Sequence, residues 1–525
     1  MTTLAAASGR RHWLPSIPAL VFVGILAFIL LVFQDPLLNS DGDLPRHLRH
    51  GEWMLEQHHL VRADAFSYTM AGRPFVGFEY GSQLVYALAH RAGGLAAVTA
   101  LAALLIASAY ALLARFLLRR RVEPLLACGL TGAAVSIGMG HWLARPHLFT
   151  LVAVPLLLEL LWPVGRWRWW PFVVLFAIWA NVHGGFAYGL GVISLFLGGA
   201  VIEARHQPGG LIRNVWVRRH AAAFALSAAA SLLNPWGAGV YRHIVAMFRD
   251  HYIIDHTAEF ASPDFHDPAS KIFLLVIVGV MVAGLLSRRR PAAVIVLSVA
   301  AGVWLALVSQ RNAPLFGFTA LPLLGIHLDP EWRQFRFVRH VGAGMEKGAA
   351  GAATAPWVCL AAALVIALGL RHGRLGGRQL LADSFSADRT PTKAVAAARA
   401  AGLSGHMFSE FGWGGYLQYA WPEQKVFIDG GTDFYGGRLM RDYGIIRDAR
   451  PGWQDLIRQW DIAGVIVPPE APIASELARD HGWRYWYCDA TAVVLVPANR
   501  DVPRSPHSPA DSRQCTPKPE AGDSA

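Results

Sequence analysis

Two aspartates one residue apart, Asp41 and Asp43, stand just after a long apolar run, in the stretch Asn39-Ser-Asp-Gly-Asp-Leu-Pro-Arg-His47. Carboxylates placed there can serve as a general base toward a hydroxyl nucleophile, or can hold a divalent cation against a phosphate. A plainer role is also open: Asp41-Gly42 is turn chemistry, and Asp43 suits the N-cap of a helix over 44–50. The two roles are compatible. The same loop carries His47, Asp64 and Glu79. Farther along, Arg145 and His147 flank Pro146, and Arg311 precedes Asn312, each at the end of an apolar run. An arginine in such a place either snorkels to the interface or grips a phosphate. His183, in Asn181-Val-His-Gly-Gly185, is a candidate base or ligand, set against a satisfied structural histidine. Asp41 and Asp43 are thus the candidate catalytic residues. His47, Asp64, Glu79, Arg145, His147, His183, Arg311 and Asn312 are the candidate substrate-binding residues.

What must position them is a membrane scaffold. Of 525 residues, 54% are hydrophobic and 16% charged, against about 25% charged in soluble domains. The net charge of +11 does not mark a nucleic-acid binder. Its basic residues cluster between apolar runs, as in Arg119-Arg120-Arg121 and Arg288-Arg289-Arg290. About eleven runs are candidate spans at 15–33, 94–118, 125–142, 148–162, 172–182, 185–202, 221–233, 272–286, 292–308, 314–326 and 356–370. The first has no small-residue cleavage site after it and reads as a retained helix. Placing Arg10 and Arg11 in the cytoplasm and alternating puts each basic cluster between spans inside. The loop 34–93, the turns at Arg145, His183 and Arg311, the segment 234–271 and everything after 371 then lie outside. The candidate site residues fall on that outer side. Residues 80–90 read as an amphipathic helix.

The expected organisation is a transmembrane domain over 1–371 with a first extracytoplasmic loop at 34–93. A small extracytoplasmic α/β domain follows over 372–498, then a disordered tail over 499–525. Strand-like runs occur at 425–429, 464–468 and 492–497, with helical stretches at 454–461 and 474–481. Phe411-Gly-Trp-Gly-Gly-Tyr416 and Asp429-Gly-Gly-Thr-Asp433 read as turns beside strand ends or as a carbohydrate platform. The acidic and histidine residues of 249–267 read as a solvated loop, with metal binding the alternative. The four cysteines have no metal-ligand spacing, and no disulfide framework follows from them. Walker, Rossmann and hydrolase-elbow motifs are absent.

This constellation resembles the GT-C superfamily of membrane glycosyltransferases. The shared features are the retained first span, the loop opening on Asp41 and Asp43, the helix in that loop, further spans, and a C-terminal extracytoplasmic domain. Protein O-mannosyltransferases, lipid A aminoarabinose transferases and oligosaccharyltransferases belong to that group. The segments 41–51 and 64–69 are also similar to those of uncharacterised bacterial membrane proteins. The resemblance implies a polyprenyl-phosphate sugar as donor and a lipid, glycan or protein of the cell envelope as acceptor. Asp41 or Asp43 would be the base, and Arg145 and Arg311 would meet the phosphate. A divalent cation is compatible with it but not required. The Trp-Trp-Asp signature of oligosaccharyltransferases is absent, which argues against transfer of a whole oligosaccharide to Asn. The alternatives are a transporter or flippase of a lipid-linked glycan, which favours midplane charges and internal repeats, and a non-catalytic envelope scaffold.

Overall fold

The computed structural model describes residues 14–503 except 206, 208, 209, 350 and 351. The N-terminal arginines used for orientation, the tail beyond residue 503 and Cys515 lie outside the described residues. The chain divides into two compact units.

The first unit comprises residues 1–37, 92–238 and 255–382 and is helical. Among the described residues, four helices are long and apolar enough to cross a membrane: Ile17–Asn39, Tyr80–Arg119, Pro124–His141 and Phe186–Ala204. Five more apolar helices are shorter: His147–Leu161, Trp170–Val182, Ser270–Leu286, Ala293–Val308 and Ala355–Leu370. At about 1.5 Å per residue, a helix of this shorter class falls short of the roughly 30 Å hydrocarbon layer. Their outward faces are apolar. Leu31 is 78% exposed, Leu275 70% and Leu285 83%. Side chains of this kind are costly in water and at no disadvantage against lipid.

Polar residues in this unit gather at helix ends. Glu123 caps Pro124–Gly138 by accepting from the amides of Leu125 (3.1 Å) and Leu126 (2.9 Å), and it also accepts from Trp332 Nε1 at 2.9 Å. Its own amide donates to Asp329 Oδ1 at 2.6 Å, and Arg333 donates to the Arg121 carbonyl at 2.6 Å. Arg120 donates to Glu159 at 3.1 Å. Two of the segments that the charge pattern assigns to the cytoplasm, 115–121 and 333–347, therefore meet.

The helix Tyr80–Arg119 breaks at Gly93 and Gly94, where the backbone leaves helical geometry and Gly94 takes φ +64°. The change of unit falls at the same point. Only glycine takes that φ without strain.

The second unit comprises residues 38–91, 239–254 and 383–525. Its sheet is built from β3 (His406–Ser409), β4 (Ile462–Val467), β5 (Trp483–Cys488) and β6 (Val493–Pro497), in the order β3-β4-β6-β5. A separate two-residue hairpin in the first unit supplies β1 (Arg374–Leu375) and β2 (Arg378–Gln379). β3 and β4 run parallel, and the other pairings are antiparallel. Residues of the expected runs at 464–468 and 492–497 lie in β4 and β6. The run at 425–429 forms only isolated bridges, with Val426 pairing to Met407 and to Ser67. It turns away at Asp429-Gly-Gly before a ladder can extend. First-loop residues thus lie beside the sheet edge: Tyr68 N donates to the Val426 carbonyl (3.1 Å), and Val426 N to that of Phe66 (3.0 Å). β5 is aromatic rather than aliphatic and carries a register shift, which hides its period.

The Gly93 contact gives a stability test. A Cβ there would overlap the Gly369 carbonyl oxygen and reach Leu370 Cα at 2.9 Å, whereas nothing lies within 4 Å of one on Gly24. Gly93→Ala is expected to cost about 1–3 kcal/mol, read as a lower melting temperature in detergent. Gly24→Ala, inside a helix with open space around it, should not lower it.

Candidate functional site

The helix Asp43–Gln57 starts at the acidic pair, and Asp41 forms the turn that leads into it. Asp41 Oδ1 accepts from the Asp43 amide at 3.0 Å. Asp43 itself is 7% exposed. Its carboxylate lies on Gly430, where a Cβ would overlap Oδ1 and come within 2.8 Å of Cγ. A Cβ on Gly42 would likewise overlap the Gly412 carbonyl, and one on Gly415 would meet Arg46 Cβ at 3.0 Å. The two glycine motifs of the C-terminal segment are therefore the bed on which the first-loop turn rests. Their lack of side chains is what lets it approach.

One turn along the same helix, Arg46 is buried with Nε 3.8 Å from Asp429 Oδ1. Asp429 is 4% exposed and accepts from Gly431 N (2.7 Å), Gln418 Nε2 (2.5 Å) and Tyr435 OH (2.9 Å). Burial would lower the Arg46 pKa, but Asp429, Glu79 and Asp433 more than offset that and keep it charged. His47 is buried beside Arg46, with Nδ1 3.3 Å from Gln83 Nε2 and 3.9 Å from Glu79 Oε2. Asp433 meets His243 Nε2 at 2.7 Å. Burial pushes its carboxyl up, but the His243 hydrogen bond and Arg46 bring it below the ordinary range. Asp64 is also buried, accepting from Phe66 N (3.1 Å), Ser67 N (3.2 Å) and Ser67 Oγ (2.6 Å). It organises the loop that pairs with Val426. Burial raises its pKa further than these bonds lower it.

The second cluster lies in the first unit. Arg145 pairs with Glu259 Oε1, and Arg311 NH1 lies 3.8 Å from Glu259 Oε2. The Arg311 guanidinium also covers the Phe260 ring at 4.8 Å. The turn 309–312 is tied to the same segment through Ser309 Oγ to the Glu259 carbonyl (2.9 Å) and Gln310 N to that of Ala261 (2.9 Å). Asn312 donates to the Leu305 carbonyl at 3.2 Å. His147 Nε2 lies 2.8 Å from the His141 carbonyl. His183 Nδ1 is 2.8 Å from Thr150 Oγ1 and accepts from Gly185 N at 3.0 Å, while Trp179 Nε1 donates to the same Thr150 oxygen at 2.8 Å. The turns at Arg145 and Arg311 and the segment around Glu259, expected on one side of the membrane, are thus in contact.

Asp41, Asp43, His47, Asp64 and Glu79 belong to the second unit. Arg145, His147, His183, Arg311 and Asn312 belong to the first. Reading the residues alone missed Arg46, Asp429, Asp433, His243 and Glu259. Asp429 and Asp433 stood in a visible Gly-rich motif, and Glu259 in a loop taken as solvated. His243 carried no signal. Among the described residues, no group of three or more His, Cys, Asp or Glu side chains is placed to hold a metal ion.

No family model matches the sequence, and no curated protein matches it. Solved structures do. The apo crystal structure of the oligosaccharyltransferase of Archaeoglobus fulgidus matches over 92% of this chain and 74% of its own, at TM-score 0.54 and 12% identity. ArnT of Cupriavidus metallidurans, bound to undecaprenyl phosphate, matches over 91% of this chain and 97% of its own, at TM-score 0.50 and 15% identity. At these identities the likeness is one of fold, and the chain shares the fold of both.

The arginine pair yields a pH test. Burial alone would raise the Glu259 carboxyl, but Arg145 and Arg311 hold it at about 2, against an ordinary 4.5. A depressed carboxylate stabilises the fold fully above its unfolded value, and that contribution is lost as pH falls from 4.5 toward about 2. Thermal melts of wild type and Glu259→Gln are expected to differ most above pH 4.5 and to converge below it. A gap that stays constant down to the acid limit would contradict the pairing.

Proposed function

We propose that the chain transfers a sugar from a polyprenyl-phosphate donor to an acceptor of the cell envelope, on the extracytoplasmic face of the plasma membrane. The observation that carries this reading is the GT-C-like fold, joined to a first-loop acidic turn held rigidly on two glycine motifs. The apolar outward helix faces support a membrane setting. The contact between two cytoplasm-assigned segments, and the contacts among the outer turns, support the sidedness read from charge. We read residues 34–93 and 372–498 as extracytoplasmic on these grounds.

In the reaction, an acceptor hydroxyl attacks the anomeric carbon. Asp43, or Asp41 beside it, takes the hydroxyl proton as the new C–O bond forms. The bond from the anomeric carbon to the phosphate oxygen breaks, and the polyprenyl phosphate leaves with the electron pair. Arg145 and Arg311 are the cations proposed to meet that phosphate. Glu259 holds both arginines in place and offsets one of their two charges. Planar guanidinium groups fixed in advance favour charge that develops on leaving. His47, Glu79, His183 and Asn312 remain proposed substrate-binding residues.

Purified protein in lipid, given a panel of labelled polyprenyl-phosphate sugars and envelope fractions, is expected to transfer label to an acceptor. Asp43→Asn should slow this by about 100-fold or more while the protein still inserts and folds. Full activity in both Asp41→Asn and Asp43→Asn would remove the base assignment. Arg145→Ala with Arg311→Ala should weaken binding of sugar-free polyprenyl phosphate. Unchanged binding would remove the phosphate assignment.

A further inference from the structure

The second unit holds a hydrogen-bonded histidine–carboxylate pair that the proposed reaction does not use. His243, on the helix Gly239–Arg249, meets Asp433, at the start of the helix Thr432–Arg447, with Nε2 to Oδ2 at 2.7 Å. That bond fixes the ring and leaves Nδ1 as the available nitrogen. Nδ1 has no hydrogen-bond partner among the described residues and is not among the buried unpartnered atoms. The Phe78 ring lies beside His243, centroids 5.5 Å apart, and is itself half-buried. Glu79 is the next residue in the chain. Arg46, which acts electrostatically on Asp433, has a buried Nε without a hydrogen-bond partner among the described residues.

The segment that follows the helix Gly239–Arg249 is tied separately to the helix Thr432–Arg447. Asp250 Oδ2 accepts from Gly437 N at 2.7 Å, and Arg441 covers the Tyr252 ring at 4.8 Å. An aromatic face beside oriented polar groups of both signs suits one ligand chemistry above others, a ring with an apolar C–H face and a rim of hydroxyls.

We propose that Phe78, His243 and Asp433 form a carbohydrate subsite that selects the sugar of the donor. Phe78 packs against the C–H face of the sugar, and His243 Nδ1 accepts a hydrogen bond from a ring hydroxyl. Asp433 is a positioning residue that sets the imidazole. This rests on the glycosyl-transfer reading and adds to it the part that recognises the sugar.

The test compares two ligands on the whole protein in lipid nanodiscs: the polyprenyl-phosphate sugar that binds wild type best from the panel, and sugar-free polyprenyl phosphate. His243→Ala and Phe78→Ala are each expected to weaken binding of the sugar-bearing lipid by about tenfold. Asp433→Asn should weaken it by a smaller factor, and the sugar-free lipid should bind all three variants as it binds wild type. Three substitutions at separate chain positions keep the test valid if one of them misfolds by thermal melt. Equal weakening of both lipids, or unchanged binding of the sugar-bearing lipid in folded variants, overturns the subsite while leaving the transfer reading standing. Failure of wild type to bind either lipid overturns both.

Discussion

The second unit depends on a guanidinium and a carboxylate taken out of water together. Arg46 and Asp429 are 8% and 4% exposed and come from segments almost four hundred residues apart in sequence. Removing one partner of such a pair strands the other, at a typical cost of about 3–5 kcal/mol. The remaining lone pairs of Asp429 are taken up by Gln418, Tyr435 and the Gly431 amide. Those donors fix the Asp429-Gly-Gly turn, and that turn in turn receives the Asp43 carboxylate on Gly430. The acidic turn is held in place through this sequence of contacts rather than by its own loop.

Charge placement follows one logic in both units. Three buried or half-buried arginines face carboxylates, and a histidine meets another. Arg46 has Asp429, Arg145 and Arg311 share Glu259, and His243 has Asp433. A carboxylate shared by two arginines keeps net positive charge at the pair, which a phosphate monoester can use.

Much of this was legible in the sequence. Long apolar runs separated by arginine clusters foretold the helices, because lipid tolerates no other open chain. The Asp41-Gly42 turn and the helix after it followed from local chemistry, but Asp43 opens that helix instead of capping it, and Asp41 accepts from its amide. Residues 464–467 and 493–497 announced their strands through Val and Ile. What was not legible was non-local. Nothing near Gly412 or Gly430 shows that each must admit a backbone or carboxylate from the first loop. His243 sits in an amphipathic helix with no motif around it. Glu259 looked like one acid among many in a polar loop until the turns at Arg145 and Arg311 closed on it. Several apolar runs gave helices shorter than a span, since hydropathy marks where a helix is and not how long it stays helical.

The central claim is that a lipid-linked sugar is cleaved from its phosphate and not carried across intact. It is tested most directly in sealed proteoliposomes, using a polyprenyl-phosphate donor labelled on both the sugar and the lipid. The account predicts that sugar label moves to an acceptor while lipid label accumulates as free polyprenyl phosphate in equal amount. Passage of the doubly labelled donor to the other leaflet without cleavage would contradict it and identify a transporter.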